Sequence, residues 1–463
     1  MRHVSRRAVV AAAVGSALLT GCTTSIDGTP APPVSDVAAD QFPITGATDS
    51  DVDRLARNAL ADLNDFWSAA YPEFYGEDFT PLAGGYWSVD TEDLDYDLYP
   101  SDTGVGCEEL PIDPAEVEGN AFYQQDCDVI VYDTALLRQL TEETGSFSGP
   151  AVMAHEFGHA MQGRFGFSEV TIRDETQADC FAGAFTRWVA DGNAPHTTLR
   201  IQDLDNVLAA FIQLRDPVGE TDTDVEGAHG SGFDRASGFY EGYSGGVGSC
   251  RDDFGADRVF TVDEFTTEED YQNEGNASYE EIFSIIDQSL PLFYEGDWLE
   301  GFEQPSVELF DGTAPGCGDM GAENRDVGFC ADDDTVYADE TDLLQPAYDE
   351  IGDFAVATAI ALPYAEAARA SLGLSTNDDE STVSSVCLTG SYAAAFFNGD
   401  FTTDDGGVQL SPGDVDEAIL FLLSYGQTDS VLPNTTATGF ELVGAFRAGF
   451  LQGAGAPECG ISG

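Results

Sequence analysis

The sequence contains no lysine. All 17 basic residues are arginine, against 85 aspartates and glutamates, and the formal net charge is −68. Such a surface repels the phosphates of nucleic acid and anionic lipid headgroups, so both are excluded as binding partners. Histidine is scarce, five in 463 residues, so any clustering of imidazoles carries information. No stretch is long and apolar enough to span a bilayer as a helix. None of the cysteine spacings has the CxxC form of a structural zinc site.

At the N-terminus, Arg2, Arg6 and Arg7 precede an apolar run over 8–19, too short for an ordinary membrane span. It ends in Leu19-Thr20-Gly21-Cys22. That tetrapeptide resembles the lipobox of bacterial lipoproteins, which implies a signal peptide over 1–21, an acylated (palmitate-bearing) Cys22, and a body tethered to the extracytoplasmic face of the cell membrane. A plain signal peptide with an incidental cysteine is the alternative. Residues 22–46 are rich in Thr, Pro, Ala, Ser and Asp and read as a flexible linker. The remainder is long enough for roughly two domains.

Eight further cysteines, Cys107, Cys127, Cys180, Cys250, Cys317, Cys330, Cys387 and Cys459, read as disulfides in an exported chain. They fall into two sets of four with gaps of 20, 53 and 70 residues, then 13, 57 and 72. Local sequence supports the match: FDRASGFYEGY at 233–243 is echoed by FELVGAFRAGF at 440–450, and Asp-Cys-Phe-Ala-Gly around Cys180 by Val-Cys-Leu-Thr-Gly around Cys387. A repeat this long is a duplicated domain and not a solenoid, with domains expected over 47–262 and 263–463. If both copies use one pairing, the simplest is Cys107–Cys127, Cys180–Cys250, Cys317–Cys330 and Cys387–Cys459, although four cysteines allow three pairings.

The segment 148–163 has helix punctuation, with Ser148 and Pro150 at its start and Gly163 at its end. Within it lies His155-Glu156-Phe157-Gly158-His159. Residues four apart share a helix face, so both imidazoles reach one ion while Glu156 reaches a water bound to it. The next helical segment carries Glu175 and Asp179, again four apart. Glu175 is the third candidate ligand, and Asp179 is placed to accept the free ring N–H of a ligand histidine. Three protein ligands leave a position open, the catalytic pattern for zinc. The strand pattern at 128–133 reads either as an edge that pairs with an extended peptide or as an internal strand.

HEFGHAMQ followed by ETQADCFAG resembles the neutral zinc metallopeptidase family, and the broader HExxH then ExxxD pattern is similar to gluzincins. With FYQQDCDVIVYD at 122–133 and His229-Gly230-Ser231, the resemblance covers about 120–250. It implies an α+β, mainly helical fold, a zincin-like domain, His155, His159 and Glu175 as ligands to one zinc ion, and Glu156 as general base.

The second half lacks the chemistry. Aligned on Arg164 and Arg369, His155, Glu156 and His159 stand opposite Ile360, Ala361 and Tyr364. Aligned on the cysteines, Glu175 and Asp179 stand opposite Thr382 and Val386. A metal-free, degenerate repeat is therefore expected. His229 matches a His-Gly-Ser/Thr element of the resembled family and faces Thr436 in the second copy. Its loss alongside the ligands suggests a shared task, a hydrogen bond to the developing oxyanion, while a turn histidine bonded to backbone is the alternative. The expectation is a surface-anchored zinc peptidase acting on a peptide or protein substrate. The competing expectations are a zinc-binding but non-hydrolytic envelope lipoprotein, and a structural envelope protein without metal.

Overall fold

The computed structural model describes residues 35–461, apart from 101–103, 108–109, 169, 220–228, 263, 266, 296–298, 300, 404–405 and 408–409. The leader, Cys22 and the first part of the 22–46 linker lie outside the described residues. Helices hold 55% of the chain and strands 9%, so the fold is mainly helical with small sheets. Among the described residues, no helix is long and apolar enough to cross a membrane.

Helix α1 (Asp51–Tyr75) begins where the Ser50 hydroxyl accepts from the Asp53 amide, and ends at Gly76 in the left-handed region. Strand β1 (Gly85–Val89) follows, then a small hairpin of β2 (Val105–Cys107) and β3 (Leu110–Ile112), then β4 (Ala121–Gln124) and β5 (Val129–Asp133). All five residues of β5 are buried, because β5 runs between β1, which is parallel to it, and β4, which is antiparallel. The 128–133 segment is thus the internal strand, and the alternative of a substrate-pairing edge fails there: both its edges already carry ladder hydrogen bonds. The edges are β4 and β1, and the outer side of β1 is met by Thr45 at Trp87. Asp133 ends β5 and caps α2 (Thr134–Thr144) through the Ala135 amide. Helices α3 (Ser148–Phe165), α4 (Thr171–Ala190), α5 (Ile201–Gln213) and α6 (Gly232–Asp252) complete this half.

After the short α7 (Glu268–Gln272), the order recurs. Helix α8 (Tyr279–Tyr294) leads to β6 (Ser306–Phe310), the short α9 (Gly318–Glu323), β7 (Val327–Cys330) and β8 (Thr335–Asp339). Strand β8 again lies between a parallel partner, β6, and an antiparallel one, β7. A short α10 (Gln345–Glu350) precedes α11 (Asp353–Ser371), α12 (Asp379–Phe397), α13 (Asp414–Tyr425) and α14 (Gly439–Gln452).

The helix crossings match at the level of single atoms. A Cβ on Gly183 of α4 would stand 2.0 Å from the Phe239 carbonyl of α6, and one on Gly390 of α12 would stand 2.0 Å from the Phe446 carbonyl of α14. Only glycine permits that approach. A disulfide ties each crossing region, Cys180–Cys250 in the first half and Cys387–Cys459 in the second, and Cys107–Cys127 and Cys317–Cys330 complete the set. These are the pairs that repeat symmetry favours.

One apolar cluster runs through both halves, and the described chain belongs to one compact unit. The halves lock reciprocally. Asp416 of α13 accepts from the Gly232 and Phe233 amides that open α6, while Asp205 of α5 accepts from the Gly439 and Phe440 amides that open α14. Phe233 and Phe450 meet at 4.7 Å between ring centroids.

Candidate metal centre

Helix α3 is buried along almost its whole length, which explains why its apolar residues are not confined to one stripe. It packs against α4 at Gly158, where an added Cβ would lie 2.9 Å from the Ala178 Cα. The glycine between the two histidines therefore lets α4 approach closely enough for its carboxylates to meet the imidazoles.

His155 and His159 sit one turn apart, with ring planes at 89° and Nε2 atoms 3.0 Å from each other. The Glu175 carboxylate faces both, its Oε2 3.3 Å from His155 Nε2 and its Oε1 3.4 Å from His159 Nε2. The far ring nitrogens are occupied. His155 Nδ1 is 2.7 Å from Asp179 Oδ1, and His159 Nδ1 is 2.8 Å from Gln162 Oε1. Asp179 is fully buried and receives two hydrogen bonds from the buried Arg235 of α6, both at 2.9 Å. Gln162 is held by the Asp174 carbonyl at 2.7 Å and by Gln177 at 3.0 Å. With each Nδ1–H donated outward, both Nε2 atoms are left facing Glu175.

The donor set fits a zinc ion. Two imidazole nitrogens and one carboxylate are brought together, with ligand atoms within 4.8 Å of one another, and the buried Glu175 Oε2 accepts no hydrogen bond among the described residues. The charge pattern agrees. Burial lowers the His155 imidazole, but Asp179 and Glu175 outweigh it and raise the group to about 10. His159 is raised against its burial by Glu175. Burial pushes Glu175 up, yet the two histidines hold it well below the usual carboxylate range. The cluster demands positive charge at its centre, and a bound cation supplies it as well as protons do.

Glu156 is buried beside the two histidines, and burial raises its carboxyl above the usual value. His229 stands at the turn before α6, its imidazole half-exposed, near enough for its charge to act on Glu156. Asp216 organises that turn. Its carboxylate accepts from the His229 amide at 2.8 Å and the Gly230 amide at 2.6 Å, and its Oδ1 lies 3.4 Å from His229 Nδ1. His155, His159 and Glu175 thus converge on one point, with Asp179 behind the first ring and Glu156 and His229 close enough to interact electrostatically. Three contributors were missed by sequence reasoning: Gln162, Arg235 and Asp216. Gln162 carried a readable signal, since it lies three residues beyond His159 on the same helix. Arg235 and Asp216 arrive from elements distant in the chain, and no spacing rule points to them.

In the second half, Ile360, Ala361, Tyr364, Thr382 and Val386 occupy the aligned positions and are all buried. They offer no imidazole or carboxylate.

No protein-family model and no solved structure matches the chain. It is similar to an uncharacterized protein of Mycobacterium bovis and to uncharacterized proteins of two Mycobacterium tuberculosis strains, each 29% identical over a 186-residue alignment that covers 34% of this chain. The chain spans 61% of the length of those relatives. None of their names states an activity.

Proposed function

We propose that the protein is a zinc-dependent peptidase of zincin-like architecture, with a catalytic first half and a degenerate second half that lacks the zinc ligands. The observation that carries this is the convergence of His155, His159 and Glu175 on one point, with both Nδ1 atoms tied outward and a buried glutamate next in sequence to the first histidine. A zinc ion held by these three groups would lower the pKa of a bound water to about 7 and polarise the scissile carbonyl. Glu156 takes the proton of the attacking water on its carboxylate and returns it to the leaving amine. Asp179, itself clamped by Arg235, keeps the His155 proton on Nδ1. His229, oriented by Asp216, donates from its imidazole to the carbonyl oxygen as negative charge develops there. As a terminal strand of its sheet, β4 is where an extended peptide would pair. The lipobox-like Cys22 would tether this activity to the outer face of the membrane.

The deciding experiment compares the mature chain with Glu156→Gln for zinc content and for hydrolysis of a denatured protein. The wild-type chain is expected to hold zinc and cleave. Glu156→Gln is expected to hold zinc and lose at least about a thousandfold in kcat, because only the proton acceptor has changed. A wild-type chain that holds zinc but cleaves nothing would instead be a binding module.

A further inference from the structure

A second cluster lies in the half without histidines. Asp353 opens α11, and Asp414 and Glu417 lie on the first turn of α13; all three are more than nine-tenths buried. Each offers an oxygen, and these oxygens lie within 4.8 Å of one another. Each carboxylate spends one oxygen on a backbone amide. Asp353 Oδ2 accepts from Ala277 at 2.7 Å, Asp414 Oδ2 from Ser411 at 2.8 Å, and Glu417 Oε2 from Phe354 at 2.8 Å. The other oxygens of the two aspartates, Oδ1 in each case, are buried and accept no hydrogen bond among the described residues. Two such oxygens in a water-poor site are costly unless a cation lies between them or the acids hold protons, the direction in which burial pushes all three.

The first half shows how the same place is neutralised when no ion is needed. The reciprocal locks set Asp205 opposite Asp416, and hence Arg200, Asp203 and Asn206 opposite Ser411, Asp414 and Glu417. The correspondence holds in contact as well as in sequence. The Arg200 amide donates to Asp203 at 2.6 Å, as that of Ser411 does to Asp414. Asn206 Nδ2 lies 3.0 Å from a Cβ placed on Gly145, and Glu417 Oε1 lies 2.1 Å from one placed on Gly352. In the first half the single acid has its own counter-ion, with Arg200 Nη2 2.6 Å from Asp203 Oδ1, and Asn206 is neutral. Ser148 opens α3 where Asp353 opens α11. The second half replaces the arginine with serine and gains two carboxylates. The guanidinium whose charge reaches Glu417 belongs to Arg215, and Arg215 is already paired with Asp416.

We propose that Asp353, Asp414 and Glu417 bind one structural divalent cation, of which calcium is the best fit. The donors are all oxygen, which excludes soft-metal preference. Calcium also tolerates irregular geometry and sheds its water more readily than magnesium. The ion stitches the starts of α11 and α13 to the 276–277 segment, where Asn276 Oδ1 accepts from the Asp353 amide at 2.8 Å. The site is independent of the histidine centre and serves stability, not hydrolysis.

The test uses the full chain, stripped of metal and then given calcium at about 5 mM. One calcium per chain is expected by titration calorimetry, with a melting temperature raised by about 4 °C over calcium-free buffer. Glu417→Gln is expected to lose both responses. As that variant can fail to fold for unrelated reasons, the double variant Ser411→Arg/Glu417→Asn restores the arginine and asparagine of the first half. It is expected to fold without calcium, to bind none, and to keep its zinc. A wild-type chain that binds no calcium and melts at one temperature with and without it overturns the proposal and leaves the three carboxyls sharing protons. Calcium bound equally well by the double variant places the ion elsewhere and overturns it too.

Discussion

The imidazole of His155 is held at both ends, by Asp179 on one side and by Glu175 on the other. Asp179 is held in turn by Arg235, so a fully buried carboxylate and a fully buried guanidinium stand behind one ring. Such a chain of contacts fixes tautomer and orientation, and a structural pair would not need to end on a histidine. His229 is the residue whose role is open to the sharpest test. His229→Ala is expected to leave zinc content and melting temperature unchanged and to lower kcat about a hundredfold with little change in KM. Steady-state kinetics with parallel metal analysis checks this. An unchanged kcat would confine the residue to its contact with Asp216, and a loss of zinc would make it a ligand. At this scale the sequence was legible where one helix carries the chemistry: His155, Glu156 and His159 follow from a four-residue spacing. It was silent on Arg235 and Asp216, because their contacts join positions far apart in the chain.

Between elements, small residues set the distances. Gly158 places α4 against α3 and so sets how far Glu175 lies from the histidines. Gly158→Ala is expected to lower stability by about 1–3 kcal/mol, as overpacked sites do, and to weaken zinc binding. Denaturant unfolding and competition with a chelator would measure the two effects, and unchanged zinc affinity would show that this contact does not govern the site. The start of α6 carries a different signature. Asp234 is buried, and burial raises its carboxyl from the ordinary 3.8 to about 6, against the hydrogen bonds of the Thr261 amide and the Ser231 hydroxyl. The folded chain then keeps a proton that the unfolded chain has released. Stability from this group is full below pH 3.8 and is lost as pH rises toward about 6. Asp234→Asn is expected to gain stability relative to the wild type across that interval and to hold a constant difference above it, read from paired melting curves between pH 4 and 7. The 128–133 segment shows the limit of pattern at this scale. Its composition identified a strand, but whether that strand was edge or centre depended on β1 and β4, one of which lies about 40 residues earlier in the chain.

Across the whole molecule, two halves of matching topology share one core, and their α5 and α13 helices cap each other's partners. With a single His/His/Glu set, metal analysis of chain loaded with zinc alone is expected to give one equivalent, lost in His159→Ala. A second equivalent that survives that variant would mean a further zinc site and would undo the contrast between the halves. The second half is then a mirror of the first in packing and not in chemistry, with a buried acidic cluster where its counterpart keeps an arginine.

The sequence by itself marked the candidate ligand set, the doubled cysteine spacing and the acidic, lysine-free composition, because each depends on residue identity at short or repeated spacing. Only the tertiary structure decided which strand is the edge, that Arg235 and Asp216 support the centre, and that three carboxylates of the second half converge. Those facts arise when elements remote in sequence close on one another around a common core, and local spacing carries no record of that closure.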